Sequence, residues 1–167
     1  MPHSSFLADS KTDTLVLGEQ LLLWSLRSWA KAAEEGACPL CAILEPFALI
    51  KAEPLAEALH ESLALLLRPS ARRLRLHRPA AGVVSEDESR FLLAAAAAFH
   101  EDSVLAGRLL TGLLDGKAAG DLAAALAALA TLLSRHGLPL PQRLPPVMRL
   151  ATPMAGLGAN AGMALVH

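Results

Sequence analysis

The chain has 167 residues, of which 53% are hydrophobic, 19% charged and only 4% aromatic, and its formal net charge is −1. This composition excludes an intrinsically disordered chain and argues against a general nucleic-acid-coating protein, which needs a basic excess. Leu and Ala make up about two-fifths of the residues, which predicts an all-α fold: a compact bundle of about five to six helices.

The first predicted helix runs from Thr14 to Glu35. Apolar residues recur there at helical spacing, at Leu15, Leu22, Leu26, Trp29 and Ala33. A polar stripe on another face holds Gln20, Arg27, Lys31 and Glu34. We expect Asp13 to cap the start of this helix and Gly36 to end it.

Two cysteines follow in the sequence Cys38-Pro39-Leu40-Cys41. Pro39 suits the first position of a helix, whereas Pro46 disrupts a continuing helix, so this segment is predicted to be a short helix or turn. A cysteine at a helix N-terminus lies near free N–H groups and the positive end of the helix dipole, which favour the thiolate. The pair is interpreted as two buried inert thiols, as a redox pair, or as half of a metal site.

The helical Cys-x-x-Cys spacing resembles the alkylhydroperoxidase-D-like family, which is all-helical and of similar size. The resemblance rests on Cys38 and Cys41, and it implies a thiol-dependent redox role for them. Glu45 stands where that family has a histidine, and Leu26 stands near the position of its proton-relay glutamate.

The cysteine spacing and the N-terminal residues also bear on the compartment. The cysteines are too close together to staple a secreted fold, and the N-terminal residues lack a secretory signal, so we expect a cytoplasmic protein. Frequent Arg and Ala are typical of a GC-rich bacterial genome.

A further helix is predicted from Pro54 to Arg68, with Leu55, Leu59, Leu63 and Leu66 on its inner side. Glu57 and His60 form half of a di-iron motif, but the second half is missing from the sequence. We therefore expect both side chains on a solvated face. The histidines are scattered and there is no second Cys-x-x-Cys, so neither a metal site nor a cofactor is predicted.

The segment from Pro69 to Val84 breaks the helical pattern. Arg73-Leu74-Arg75-Leu76-His77 alternates with a period of two, which predicts either a short β-hairpin or an extended loop near residues 72–84. The candidate residues for binding an anion or a partner are Arg72, Arg73, Arg75 and Arg78. Alternatively, these charges are neutralised by Glu86–Glu88, or they protect an exposed edge. No aromatic residue is interleaved for base stacking, which argues against nucleic acid.

The C-terminal half contains three predicted helix starts. Ser85 and Glu88 form a capping box for a helix that extends to His100, Ser103 caps a helix through Leu114, and Asp121 caps the last helix to His136. The longest apolar run, Leu122 to Leu133, is shorter than the roughly 20 residues of a membrane span, so a buried helix is expected there.

Residues 1–137 are predicted to form a single helical domain, followed by a Pro/Gly-rich tail, residues 138–167, that packs on the domain or on a neighbouring subunit. Apolar positions cover more than one face of the first and last long helices. We therefore expect a non-catalytic interaction or oligomerisation module, a homodimer or a complex with a protein partner through apolar helix faces. The alternative is a thiol–disulfide redox enzyme that uses Cys38 and Cys41.

Overall fold

The computed structural model describes residues 7–67 and 73–143, which form six α-helices. Three precede the gap: α1 (Leu17–Glu34), α2 (Pro39–Leu49) and α3 (Glu53–Ala64). Three follow it: α4 (Glu86–Phe99), α5 (Ser103–Leu110) and α6 (Gly116–Arg135). The described residues contain no β-strand, and the predicted all-α bundle of about six helices is confirmed.

The six helices share one hydrophobic core. α1 packs on α2, α2 on α3 and α3 on α6, while α4, α5 and α6 pack on one another. The alanine run Ala94–Ala98 of α4 is buried. Because alanine side chains are short, this run lets the neighbouring helices approach α4 closely.

Helix α6 is the one described helix that is long and apolar enough to cross a membrane, by length and composition alone. Its leucine row is buried within the chain at no more than 1% exposure, at Leu122, Leu126, Leu129 and Leu133. This burial is the environment of a core helix, and burying each leucine contributes roughly 2 kcal/mol.

The helix starts differ from those predicted. α1 begins at Leu17, where the Glu19 carboxylate accepts the N–H of Val16 at 3.1 Å. α5 is capped by Asp102 and α6 by Asp115, whose Oδ1 atoms accept N–H groups at 3.0 and 2.8 Å. The predicted caps Asp13, Ser103 and Asp121 are therefore wrong, because other carboxylates hold the free N–H groups.

Pro46 lies inside α2, so the prediction that a helix cannot continue through this proline is wrong. A proline in a helix interior costs about 3 kcal/mol, because a hydrogen bond is lost and the ring crowds the preceding turn. Ile43 and Phe47 are fully buried on the same helix, and their burial, worth about 2 kcal/mol each, offsets that cost.

Residues 73–78 are extended, and no hairpin forms in the described part of the 72–84 region; Arg72 lies outside the described residues. Leu74 and Leu76 are half-buried against the core, whereas Arg73, Arg75 and His77 are exposed. The N–H groups of residues 75 and 77 donate to carboxylates at the start of α4 rather than to a second strand. A single bridge joins Val83 to Lys11.

The chain after α6 lies against the bundle as far as Arg143. Leu138 and Leu140 are buried, and the Leu140 carbonyl oxygen lies 2.8 Å from His100 Nε2. A Cβ on Gly18 would stand 3.1 Å from the carbonyl oxygens of Leu138 and Pro139, so this close approach favours glycine. The rest of the predicted tail, residues 144–167, lies outside the described residues.

Candidate functional site

Cys38 and Cys41 are both exposed, at the start of α2. Their sulfur atoms lie within disulfide-bonding distance, and their Cα atoms are 5.3 Å apart. The interpretation of the pair as two buried side chains is therefore wrong. The exposed sulfurs can be reached by another thiol or disulfide.

The local sequence places Cys38 at the N-cap of α2. α1 ends at Glu34, and Gly36, whose φ is +69°, turns the chain. The Ala37 N–H donates to the Ala32 carbonyl at 2.8 Å. Pro39 then begins α2, and the N–H of Cys41 donates to Cys38 Sγ at 3.2 Å. Cys38 Sγ thus lies at the N-terminal end of α2, the end of a helix that attracts negative charge.

The body of α2 fixes this pair on the surface. Ile43 and Phe47 are fully buried on one side of the helix, while Cys41 and Glu45 are exposed. The two buried side chains hold α2 between α1 and α3, against which it packs. A rigid helix thus presents both sulfurs to solvent.

The charged groups that precede the cysteines are Glu34, the last residue of α1, and Glu35. Glu34 lies 3.6 Å from Arg73, and Glu35 lies 3.8 Å from Lys31. Both acids line a cleft of about 570 Å³ that neither cysteine lines. The cysteine pair and this cleft are therefore two separate features of the same end of α1.

Three of the four candidate arginines line that cleft: Arg73, Arg75 and Arg78. The cleft lies between the C-terminal half of α1 and the extended segment Arg73–Pro79. Arg72 lies outside the described residues. The alternation in the sequence thus predicted which side chains point away from the core.

A buried ion pair between Arg27 and Glu88 was not predicted, and Arg27 does not belong to an exposed polar stripe. The side chains are 2% and 0% exposed, and Arg27 Nε donates to Glu88 Oε1 at 2.8 Å. Arg27 also donates to the carbonyls of Ala81 and Val83. The sequence does carry a signal, since Leu23 and Ala30 flank Arg27 at helical spacing on one face.

Glu88 is held ionised by its surroundings. Burial raises the pKa of its carboxyl. Hydrogen bonds from Arg27 and from the N–H groups of Ser85 and His77 lower this pKa by more than burial raises it, so the pKa lies below its ordinary value. The Ser85–Glu88 capping box is present as predicted, with the Ser85 N–H donating to Glu88 Oε2 at 2.8 Å. One carboxylate therefore serves both the helix cap and the buried ion pair.

The prediction that Glu57 and His60 lie on a solvated face of α3 is confirmed for Glu57 but is wrong for His60. Glu57 is exposed, whereas His60 is half-buried and its Nδ1 accepts the indole N–H of Trp29 at 2.8 Å. Trp29 is 2% exposed, so this bond satisfies a buried donor. In the part of the chain that the structure describes, no group of three His, Cys, Asp or Glu side chains forms a possible metal site.

The resemblance to the alkylhydroperoxidase-D-like family is confined to Cys38, Cys41 and the spacing between them. Glu45 is exposed where that family has its histidine, and Leu26, near the position of its proton-relay glutamate, is buried in the core. The partner residues of that family are thus replaced by other side chains. No protein-family model matches this chain, and no curated protein or solved structure matches it.

Proposed function

We propose that this chain is a thiol–disulfide exchange protein that uses Cys38 and Cys41. The observation that carries the proposal is an exposed cysteine pair, within bonding distance, at the N-terminal end of α2. Structural cysteines in an intracellular protein are typically buried and inert, whereas reactive cysteines lie exposed near positive charge or a helix N-terminus.

Cys38 is the attacking residue. Its sulfur accepts the Cys41 N–H and lies at the positive end of the α2 dipole, so its thiolate is stabilised. This thiolate attacks one sulfur of a substrate disulfide, a mixed disulfide forms, and the other substrate sulfur leaves as a thiolate.

Cys41 completes the exchange because its sulfur can reach Cys38 Sγ. Cys41 loses its proton and attacks Cys38 Sγ, the mixed disulfide breaks, and the second substrate thiolate leaves. The two substrate sulfurs take up the two protons that the cysteines release. Two electrons pass to the substrate, and a dithiol reductant restores the pair by the reverse exchange.

The proposal includes a cytoplasmic location, in a bacterium as the composition predicts. A reducing cytosol keeps exposed cysteine pairs available as dithiols and supplies thiol reductants, whereas an oxidising compartment would hold the pair as a disulfide.

The test is the reactivity of the reduced protein toward a chromogenic aromatic disulfide. We expect two thiols to react, the first at least about tenfold faster than cysteine in an unfolded peptide. Cys38→Ser removes the fast phase, whereas the matched variant Cys41→Ser retains it and accumulates a mixed disulfide. Equal, peptide-like rates for both thiols, or a fast phase that persists in Cys38→Ser, would overturn the proposal.

Oligomerisation or protein binding is a second candidate function. Exposed aliphatic side chains favour it, including Leu17 at 69%, Leu49 at 81% and Leu67 at 63%. The leucine row of α6 is buried within the chain and is therefore not available for an interface. Sedimentation velocity at micromolar concentration tests the homodimer, and a single monomeric species would exclude it.

A further inference from the structure

We propose that the cleft between α1 and the segment Arg73–Pro79 binds a small organic anion that carries at least two carboxylate or phosphate charges. We call this the α1 cleft. It is lined by residues from Arg27 to Glu35 on α1 and from Arg73 to Pro79 on the extended segment. The inference is independent of the exchange chemistry, because neither cysteine lines the α1 cleft.

The size of the α1 cleft suits a small molecule. Its volume is about 570 Å³, within the roughly 300–1,000 Å³ of small-molecule sites. Ala30, Leu74 and Leu76 contribute apolar surface among the charged side chains. The cleft can therefore contact an apolar part of a ligand as well as its charges.

The charges of the α1 cleft do not cancel. Its lining holds five basic side chains and the two acids Glu34 and Glu35. Arg27 is paired with the buried Glu88, while Lys31 and Arg73 lie beside the two lining acids. Among the described residues, no carboxylate forms an ion pair with the guanidinium group of Arg75 or Arg78, so two positive charges remain for a ligand.

The backbone that carries these two arginines is fixed before any ligand binds. The Arg75 N–H donates to Asp87 Oδ2 at 2.8 Å, and the Arg75 carbonyl accepts the Ser85 hydroxyl at 2.5 Å. The Arg78 carbonyl accepts the Ala81 N–H at 2.9 Å in a turn. Binding therefore orders the side chains alone, which lowers its entropic cost.

The residue types indicate the class of ligand. An arginine guanidinium donates two parallel hydrogen bonds to a carboxylate or phosphate, which matches an anion with flat or tetrahedral oxygen groups. His77 is the one aromatic side chain in the lining of the α1 cleft, which therefore lacks the row of aromatic side chains on which successive nucleobases stack. A polyanionic small molecule fits these features better than a nucleic-acid strand.

The test is calorimetric titration of the full-length protein at low ionic strength with two probes, citrate for carboxylates and pyrophosphate for phosphates. We expect saturable binding of at least one probe, weakened by added salt because part of the attraction is between exposed charges. The probe that binds more tightly identifies the preferred oxygen group.

Arg75→Gln and Arg78→Gln are each expected to weaken binding about tenfold, because each removes a charge-assisted hydrogen bond. Arg135→Gln is the matched control, since Arg135 is exposed at the end of α6 and does not line the α1 cleft. Cys38→Ser is expected to leave the affinity unchanged, which separates this inference from the proposed function.

Three results would overturn the inference. They are no saturable binding of either probe, equal weakening by Arg135→Gln and Arg75→Gln, and full affinity in both Arg75→Gln and Arg78→Gln. Circular dichroism melting of each variant shows whether it is folded. Arg75→Lys is used in place of any glutamine variant that unfolds, and it is expected to bind more weakly than wild type because lysine lacks the two-pronged donor geometry.

Discussion

Arg27 and Glu88 join α1 to the start of α4 and to the segment that precedes α4. Glu88 accepts hydrogen bonds from Arg27 on α1, from the N–H of His77 in the extended segment and from the N–H of Ser85. The Arg27 guanidinium also holds the carbonyls of Ala81 and Val83. These two side chains thus fix one wall of the α1 cleft to the helical bundle.

Glu88→Gln should destabilise the fold by about 3 kcal/mol. The substitution removes one partner of a fully buried ion pair and leaves the Arg27 charge uncompensated, which costs about 3–5 kcal/mol in buried pairs. Urea unfolding followed by circular dichroism measures the free energy of unfolding.

Glu86→Gln is the matched control for this substitution. Glu86 lies two residues earlier on the same helix and pairs with Arg90, but its side chain is 53% exposed. An exposed pair at this spacing contributes about 0.3–0.5 kcal/mol. If the two variants have the same free energy of unfolding, the Arg27–Glu88 pair does not hold this region.

Part of this cluster could be predicted from the sequence. The Ser85–Glu88 capping box follows from a local pattern that a few residues specify. The partner of Glu88 is 61 residues away, and helical periodicity alone predicts only that Arg27 lies on a polar stripe of α1. Local sequence patterns do not specify which cationic side chain from a distant part of the chain will contact a buried carboxylate.

At the scale of elements, the start of α6 depends on which aspartate side chain faces the free N–H groups. Asp115 Oδ1 accepts the Ala118 N–H, and α6 begins at Gly116. Asp115→Ala should destabilise the protein by about 1 kcal/mol, because it removes this cap. Thermal or urea unfolding of the variant measures the loss.

Asp121→Ala is the comparison for this prediction. Asp121 is exposed inside α6, where the backbone N–H groups already have helical partners. Its replacement should change the stability by no more than about 0.5 kcal/mol. A larger loss for Asp121→Ala than for Asp115→Ala would show that α6 begins where the sequence alone predicted.

The sequence predicts Asp121 as the cap of α6, whereas Asp115 caps this helix in the structure. Both aspartates precede an alanine- and leucine-rich run, and Gly116 suggested the end of a helix rather than its beginning. Ala118 and Ala119 are buried in the core, and this burial favours the earlier start. Pro46 shows the same rule in α2, since burial of Ile43 and Phe47 outweighs a local helix-breaking tendency.

The exposure of the cysteines also depends on packing. The sequence specifies the Cys38–Cys41 spacing and a helix start at Pro39, both of which the structure shows. The sequence does not specify which face of α2 is buried, because cysteine is apolar enough to lie on either the buried or the exposed face. Ile43 and Phe47 take the core positions and leave both sulfurs outside.

At the scale of the molecule, the composition predicts the fold class but not how residues 138–143 pack on the bundle. Residues 138–143 lie against α1 and α4, where Arg143 binds the buried Glu19 across 124 residues of sequence. The Pro-rich composition of this segment suggests flexibility. Two buried leucines and one ion pair hold it in place instead.

Acid should destabilise the whole molecule through Glu88. The pKa of this carboxyl is below its ordinary value of 4.5 in the folded state. As the pH falls below that value, the unfolded chain binds a proton that the folded protein still excludes. The stability that Glu88 contributes is therefore fully present above pH 4.5 and is lost as the pH falls through the folded pKa.

A comparison of wild type with Glu88→Gln isolates this effect from that of the other acids. We expect the difference in free energy of unfolding to be largest at neutral pH and to shrink steadily toward about pH 3, because glutamine does not titrate. Urea midpoints across this range measure the difference. A difference that stays constant would mean that Glu88 has the same pKa in the folded and unfolded states, so its hydrogen bonds would only balance the cost of burying it.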